Sequence, residues 1–98
     1  MASVQYKGGP TPVSAKDPSG VLDYRIEWTE WLETDTIAIS TWIVPIGITK
    51  VSESNDATTA TVWLSGGTAL TEYHVTHEIT TAQGRTAQRT MIVPVREL

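Results

Sequence analysis

Residues 71–95, TEYHVTHEITTAQGRTAQRTMIVPV, constrain this chain more than any other stretch. Tyr73, Val75, His77 and Ile79 fall on one side of a two-residue period, and His74, Thr76, Glu78 and Thr80 on the other. That alternation predicts a strand with one buried face. Gln83-Gly84 then supplies a turn in which glycine takes a positive φ without steric cost, and a second run closes on Met91-Ile92-Val93-Pro94-Val95. Together these predict a long antiparallel β-hairpin.

The remainder of the chain follows the same logic. Leu22, Tyr24, Ile26 and Trp28 alternate with Asp23, Arg25, Glu27 and Thr29, which predicts a strand with a wet outer face. Trp31 and Leu32 break the pattern, so a short irregular or helical turn should drop one of them onto the core. Residues 36–45 alternate on both sides. If Ile37, Ile39 and Ile43 face inward, Trp42 points out. Pairing should lapse around Pro45-Ile46-Gly47, because proline has no N–H to donate. Residues 49–59 are polar, with a turn at Asn55-Asp56. ATVWL, residues 60–64, is a further strand closed by Ser65-Gly66-Gly67; with Val62 and Leu64 inward, Trp63 points out. Six or seven short strands from Val21 onward, separated by regular turn signals, predict an all-β antiparallel sandwich.

Residues 1–20 differ in kind. Gly8-Gly9-Pro10, Pro12, Pro18 and Gly20 punctuate a segment with scattered apolar side chains, which cannot fold alone and reads as an extended N-terminal arm. Asp17-Pro18-Ser19-Gly20 forms a turn that opens the compact domain, residues 21–98.

Composition bounds the chemistry. A chain of 98 residues is one domain able to bury roughly 65% of its unfolded surface. With no Cys, neither a disulfide framework nor a thiolate site is available. A net charge of −4 without clustered Lys and Arg disfavours nucleic acid as a main partner. No apolar stretch approaches the ~20 residues of a membrane span, and MASVQYKGGP lacks the apolar region of a secretion signal. His74 and His77 lie three apart on a strand and so face opposite sides, which argues against a metal pair. There is no Gly-x-Ser-x-Gly elbow, and Ser65-Gly66-Gly67-Thr68 lacks the lysine and helix of a phosphate loop. No catalytic, cofactor-binding or metal-ligating residue is assigned. Four Trp are many for so small a core, which suggests that at least one is displayed for subunit contact.

Two passages carry a resemblance: KDPSGVLDYRIEWTEWLETDTIAISTWIVPIGI, residues 16–48, and TVWLSGGTALTEYHVTHEITTAQGRTAQRTMIVPV, residues 61–95. Taken in order, the Lys-Asp-Pro opening, Leu-Asp-Tyr, paired Trp, Trp-x-Val-Pro, Trp-Leu-Ser-Gly-Gly and Ile-Thr-Thr-x-x-Gly-Arg resemble a family of small structural proteins of tailed bacteriophages. The resemblance implies an immunoglobulin-like sandwich acting in the virion as a fibre-to-tail adaptor or tail component, assembled in the host cytoplasm. It implies no catalytic residues, and partners that are other virion proteins and copies of the chain itself. Tyr73 then sits where such a sandwich places a tyrosine corner, or is an ordinary core tyrosine with its hydroxyl at the rim. His77 stands where Asn is expected, and residues 49–59 match nothing specific; both read as surface differences that bear on partner choice. Candidate contact residues are Trp42, Trp63 and Ile92, with Tyr6 and Lys16 from the arm. Alternative roles are a head-tail connector, a capsid decoration protein, or a carbohydrate- or receptor-binding module.

Overall fold

The computed structural model describes residues 2–4 and 10–98. Its strands are β1 (Ala2–Val4), β2 (Thr11–Pro12), β3 (Val21–Glu27), β4 (Ile37–Ile43), β5 (Ile48–Asn55), β6 (Thr59–Gly66), β7 (Thr71–Thr81) and β8 (Thr86–Val95). One helical turn, α1 (Thr29–Leu32), joins β3 to β4. The strands form two four-stranded sheets, ordered β1-β3-β6-β5 and β2-β8-β7-β4, packed as an all-β sandwich. β1 and β2 run parallel to their neighbours β3 and β8, and the other pairings are antiparallel.

The core is filled from both sheets by the residues that alternation assigns to it. Tyr24, Ile26, Val62 and Leu64 come from one sheet, and Val75, Ile79, Met91 and Val93 from the other, all fully buried. The β7–β8 hairpin runs in continuous register from Thr71↔Val95 to Thr80↔Thr86 and turns at Gly84, whose φ is 87°. α1 drops Leu32 into the core and leaves Trp31 half-buried against it.

One polar segment is a strand after all. β5 pairs with β6 along its length, yet past Ile48 its side chains are exposed on both faces. Without a buried face it has no hydrophobic period to display. Its turn is held by the Asp56 carboxylate, which accepts from the backbone N–H groups of Thr58 at 2.9 Å and Thr59 at 2.8 Å.

Residues 11–16 stitch the two sheets together along one side. Val13 N–H donates to Ile92 C=O, and Lys16 N–H to Pro94 C=O, extending the parallel ladder beside β8. The Tyr24 hydroxyl of the other sheet donates to Ser14 C=O at 2.8 Å. Its burial pushes the phenol pKa up to about 12.

Near the start of β7, Tyr73 is wedged between the loops that hold Gly47 and Gly67. Its hydroxyl accepts from Thr68 N–H at 2.9 Å. Gly67 has φ 97°, and a Cβ there would lie 2.9 Å from Val95 Cγ2 and 3.4 Å from Tyr73 Cε2. Gly84 also has a positive φ, but a Cβ on it meets nothing within 4 Å. The pair separates backbone strain from packing. Gly84→Ala is expected to lower stability by about 1 kcal/mol, from the left-handed backbone alone. Gly67→Ala should cost more, roughly 2–4 kcal/mol, because the loop must also move off Val95. Urea denaturation of both variants checks this, and equal losses would contradict it.

Candidate functional site: the inner polar bridge and the outer contact surfaces

Trp28, Ser40, Trp42 and Arg89 surround His77, which is fully buried. Trp28 Nε1–H, between β3 and α1, donates to His77 Nδ1 in the facing sheet at 3.0 Å. Nδ1 therefore carries no proton, and Nε2–H donates to Ser40 Oγ on β4 at 2.7 Å. The Trp42 ring lies over the imidazole at 4.3 Å between centroids. Arg89 on β8 stacks its guanidinium 4.0 Å from the Trp28 ring and donates from Nη1 to Glu27 C=O. Both imidazole nitrogens are occupied and shielded, so the ring is a neutral bridge between sheets rather than a proton carrier. Burial, reinforced by the nearby Arg89 charge, lowers its pKa to about 4. The expectation that His77 marks a surface difference is thus corrected: the two-residue period places it between Val75 and Ile79 on the core face.

A second bridge fixes the hairpin tip. Asp35, in the connection before β4, receives Arg85 Nε at 3.1 Å and Arg85 Nη2 at 3.0 Å. Thr36 N–H donates to the other carboxylate oxygen at 2.8 Å. Burial alone would raise the Asp35 pKa, but the hydrogen bonds from Thr81, Thr36, Arg85 and Gln83 together hold it below the usual carboxylate range. Arg85 also donates to Leu32 C=O and lies 4.4 Å over Trp31.

The predicted contact residues divide. Trp63 is 42% exposed at the middle of the outer face of its sheet, on β6 between Asp23 of β3 and Ser52 of β5. Ile92 is half-buried, opposite Pro12 of β2. Trp42 is buried, 5% exposed, which corrects its placement on the surface. The reason is a bulge between Ile37 and Ile39, which inserts one residue and reverses the facing of everything after it. Ile37 is buried, while Ile39 and Ile43 emerge at 59% and 51% exposure. Lys16 is also corrected from a displayed arm residue to a buried one, 1% exposed. Its Nζ donates to Gly66 C=O at 2.7 Å and Asp17 C=O at 2.8 Å. Tyr6 lies outside the described residues.

Sequence reasoning misses Ile39, Ile43 and the fully exposed Ile46 as surface positions. A bulge leaves no mark in composition, although Ile46 beside Pro45 and Gly47 carries a turn signal. His74 is exposed on β7 and His77 is buried, so the two histidines do face opposite sides. No group of three or more His, Cys, Asp or Glu suited to a metal is found among the described residues.

The bridge at His77 makes stability depend on pH in a defined window. The folded-state pKa near 4 lies below the unfolded value of about 6.5, so the contribution is complete above pH ~6.5 and is lost as pH falls toward 4. The full loss is roughly 3 kcal/mol. Asp35 and Asp56 are held below the ordinary carboxylate range and lose their contributions at lower pH. Denaturation midpoints of wild type and His77→Asn between pH 7.5 and 4.5 check this: wild type should lose stability steeply and the variant much less. Parallel slopes would contradict it.

The signature elements meet in space. Lys16 of the Lys-Asp-Pro opening caps Gly66 of Trp-Leu-Ser-Gly-Gly, and Arg85 of the Gly-Arg hairpin covers Trp31 of the paired Trp. A comparison with curated proteins finds no significant match. The family model described as "Podophage GP4 fiber-tail adaptor protein gp77" matches residues 16–94, from the buried lysine to the end of β8. The chain belongs to that family of phage fibre-tail adaptors.

Proposed function

We propose that this chain is a non-enzymatic structural subunit of a phage tail, acting as an adaptor that binds tail or fibre proteins and copies of itself, and residing in the virion. The family match over residues 16–94 carries this reading. The position of Trp63 supports it. An indole 42% exposed at the middle of a sheet's solvent face, between Asp23 and Ser52, suits a desolvated contact.

The immunoglobulin-like form of the sandwich is part of the same proposal. The sheet orders β1-β3-β6-β5 and β2-β8-β7-β4 follow the A-B-E-D and G-F-C arrangement, with β2 added beside the G-equivalent strand. Tyr73, near the start of the F-equivalent strand, bonds back to the Thr68 backbone as a tyrosine corner does. Trp42 occupies the core position of the C-equivalent strand. β1 departs from the pattern by running parallel to β3.

Residues 1–20 serve in this reading as the arm that engages a neighbour. Two parts of it are tied into the sandwich, Ala2–Val4 as β1 beside β3 and the later part at Val13, Ser14 and Lys16. In this reading neither nucleic acid nor membrane is a main partner, and the net charge of −4 without clustered Lys and Arg supports the first of these.

Two variants test the adaptor role in a phage assembly assay. A chain lacking residues 1–9, which also loses the three-residue edge strand β1 and should melt somewhat earlier, and a full chain with Trp63→Arg should both keep β-sheet circular dichroism and a cooperative transition, yet enter particles at less than about a tenth of the wild-type level. Undiminished incorporation of both would overturn the reading. Loss of binding to a glycan by Trp63→Arg, with incorporation intact, would favour a carbohydrate-binding module instead.

A further inference from the structure

We propose that β4 is an edge-pairing site for a second copy of this chain, joining two β2-β8-β7-β4 sheets antiparallel about a two-fold axis at Thr41. Among the described residues β4 ends its sheet, with β7 on one side. Its first residue is already engaged, because Ile37 N–H donates to Ala57 C=O at 2.9 Å. The free stretch is Ile39–Ser40–Thr41–Trp42–Ile43, five residues centred on Thr41 and free of charge.

The other sheet edges are guarded in ways that β4 is not. β5 carries the Lys50–Glu53 ion pair and a register shift at Val51, both of which hinder strand addition. β2 has two residues, one of them Pro12, and β1 has three. β4 offers β-branched residues with nothing charged to desolvate, and its bulge lies before the free stretch rather than in it.

A second copy is favoured because the stretch is complementary to itself in one register. With Thr41 opposite Thr41, Ile39 of each copy faces Ile43 of the other. All six of those side chains then lie on the outward face, where Ile39 and Ile43 are 59% and 51% exposed. Two Ile–Ile pairs flank a Thr–Thr pair, a self-complementary apolar cross-strand set. Inward, Trp42 of each copy falls opposite Ser40 of the other. Trp42 Nε1–H is buried and has no acceptor among the described residues. Moving the axis by one residue, to Ser40, would set Ile43 against Ile37, which lies on the core side of the bulge.

The pairing gives a place to the self-contact of the proposed function, but it rests on the geometry of β4 and not on the family. A chain that fails to pair would therefore leave the particle assay above untouched. Sedimentation equilibrium of purified full-length chain over a range of concentrations tests it. Wild type should show a monomer–dimer equilibrium. Ile39→Lys alone and Ile43→Glu alone should each weaken the dimer by about tenfold or more, since a charge then faces an apolar partner across the axis. The double variant sets the new ammonium of each copy against the new carboxylate of the other and should regain dimerisation to within about threefold of wild type. As a second readout in this Cys-free chain, Thr41→Cys should form an intermolecular disulfide on mild oxidation, whereas Ile46→Cys, on the fully exposed turn, should not. Every substituted position is exposed, and circular dichroism checks that each variant folds. A monomeric wild type, a dimer indifferent to the single charges, a double variant that fails to recover, or equal cross-linking at both cysteines would overturn the proposal. A monomeric wild type that binds a tail protein through β4 would assign the edge to that partner instead.

Discussion

Two sheets that close over an apolar core must also be held in one alignment, and the hydrogen bond from Trp28 to His77 meets that demand. It crosses from the first sheet to the second, and the imidazole passes the link on to Ser40 on β4. A buried polar network specifies a unique arrangement when every member is satisfied and is costly when one is not. Arg89 and Trp42 close the space around the ring, so alignment of the sheets, the tautomer of His77 and the placement of β4 are one problem with one solution.

The same principle explains why the family signature reads as architecture. Lys16 caps a carbonyl at the Gly66 turn, Asp35 and Arg85 clamp the hairpin tip to the connection after α1, and the paired Trp lie beneath two arginines. These residues hold loops and layers in place. Lys16, Asp35 and Trp28 in this framework are buried, whereas Trp63, Ile39, Ile43 and Ile46, the proposed contact positions, are open to solvent. An adaptor needs both, a rigid body that keeps its shape and a periphery that others can join.

Much of this fold is legible in the sequence wherever one face of a strand is buried. β3, β6, β7 and β8 display a two-residue period because their alternate side chains meet different surroundings. β5 does not, since both of its faces are wet past Ile48, and its pairing rests on backbone groups that every residue carries. Alternation carried unbroken from Ile37 puts Trp42 on the surface, and one inserted residue at the bulge reverses it. Its place in the N-terminal arm makes Lys16 a displayed residue. Its burial follows from the carbonyl of Gly66, 50 positions away, which no local pattern can announce. The period of β7 places His77 correctly on the inner face, yet its role stays hidden, because its partners Trp28 and Ser40 come together only when both sheets are assembled.

In the proposed assembly the buried framework fixes the sandwich, while the outer face at Trp63 and the open edge at β4 meet neighbouring subunits. A reconstruction of the assembled phage particle at side-chain resolution, with this chain located in it, tests that most directly. The expected result is Trp63 and the Ile39–Ile43 edge covered by other chains, with the Trp28–His77–Ser40 bridge unchanged. Finding both of those surfaces facing solvent, with contacts made elsewhere on the sandwich, would contradict it.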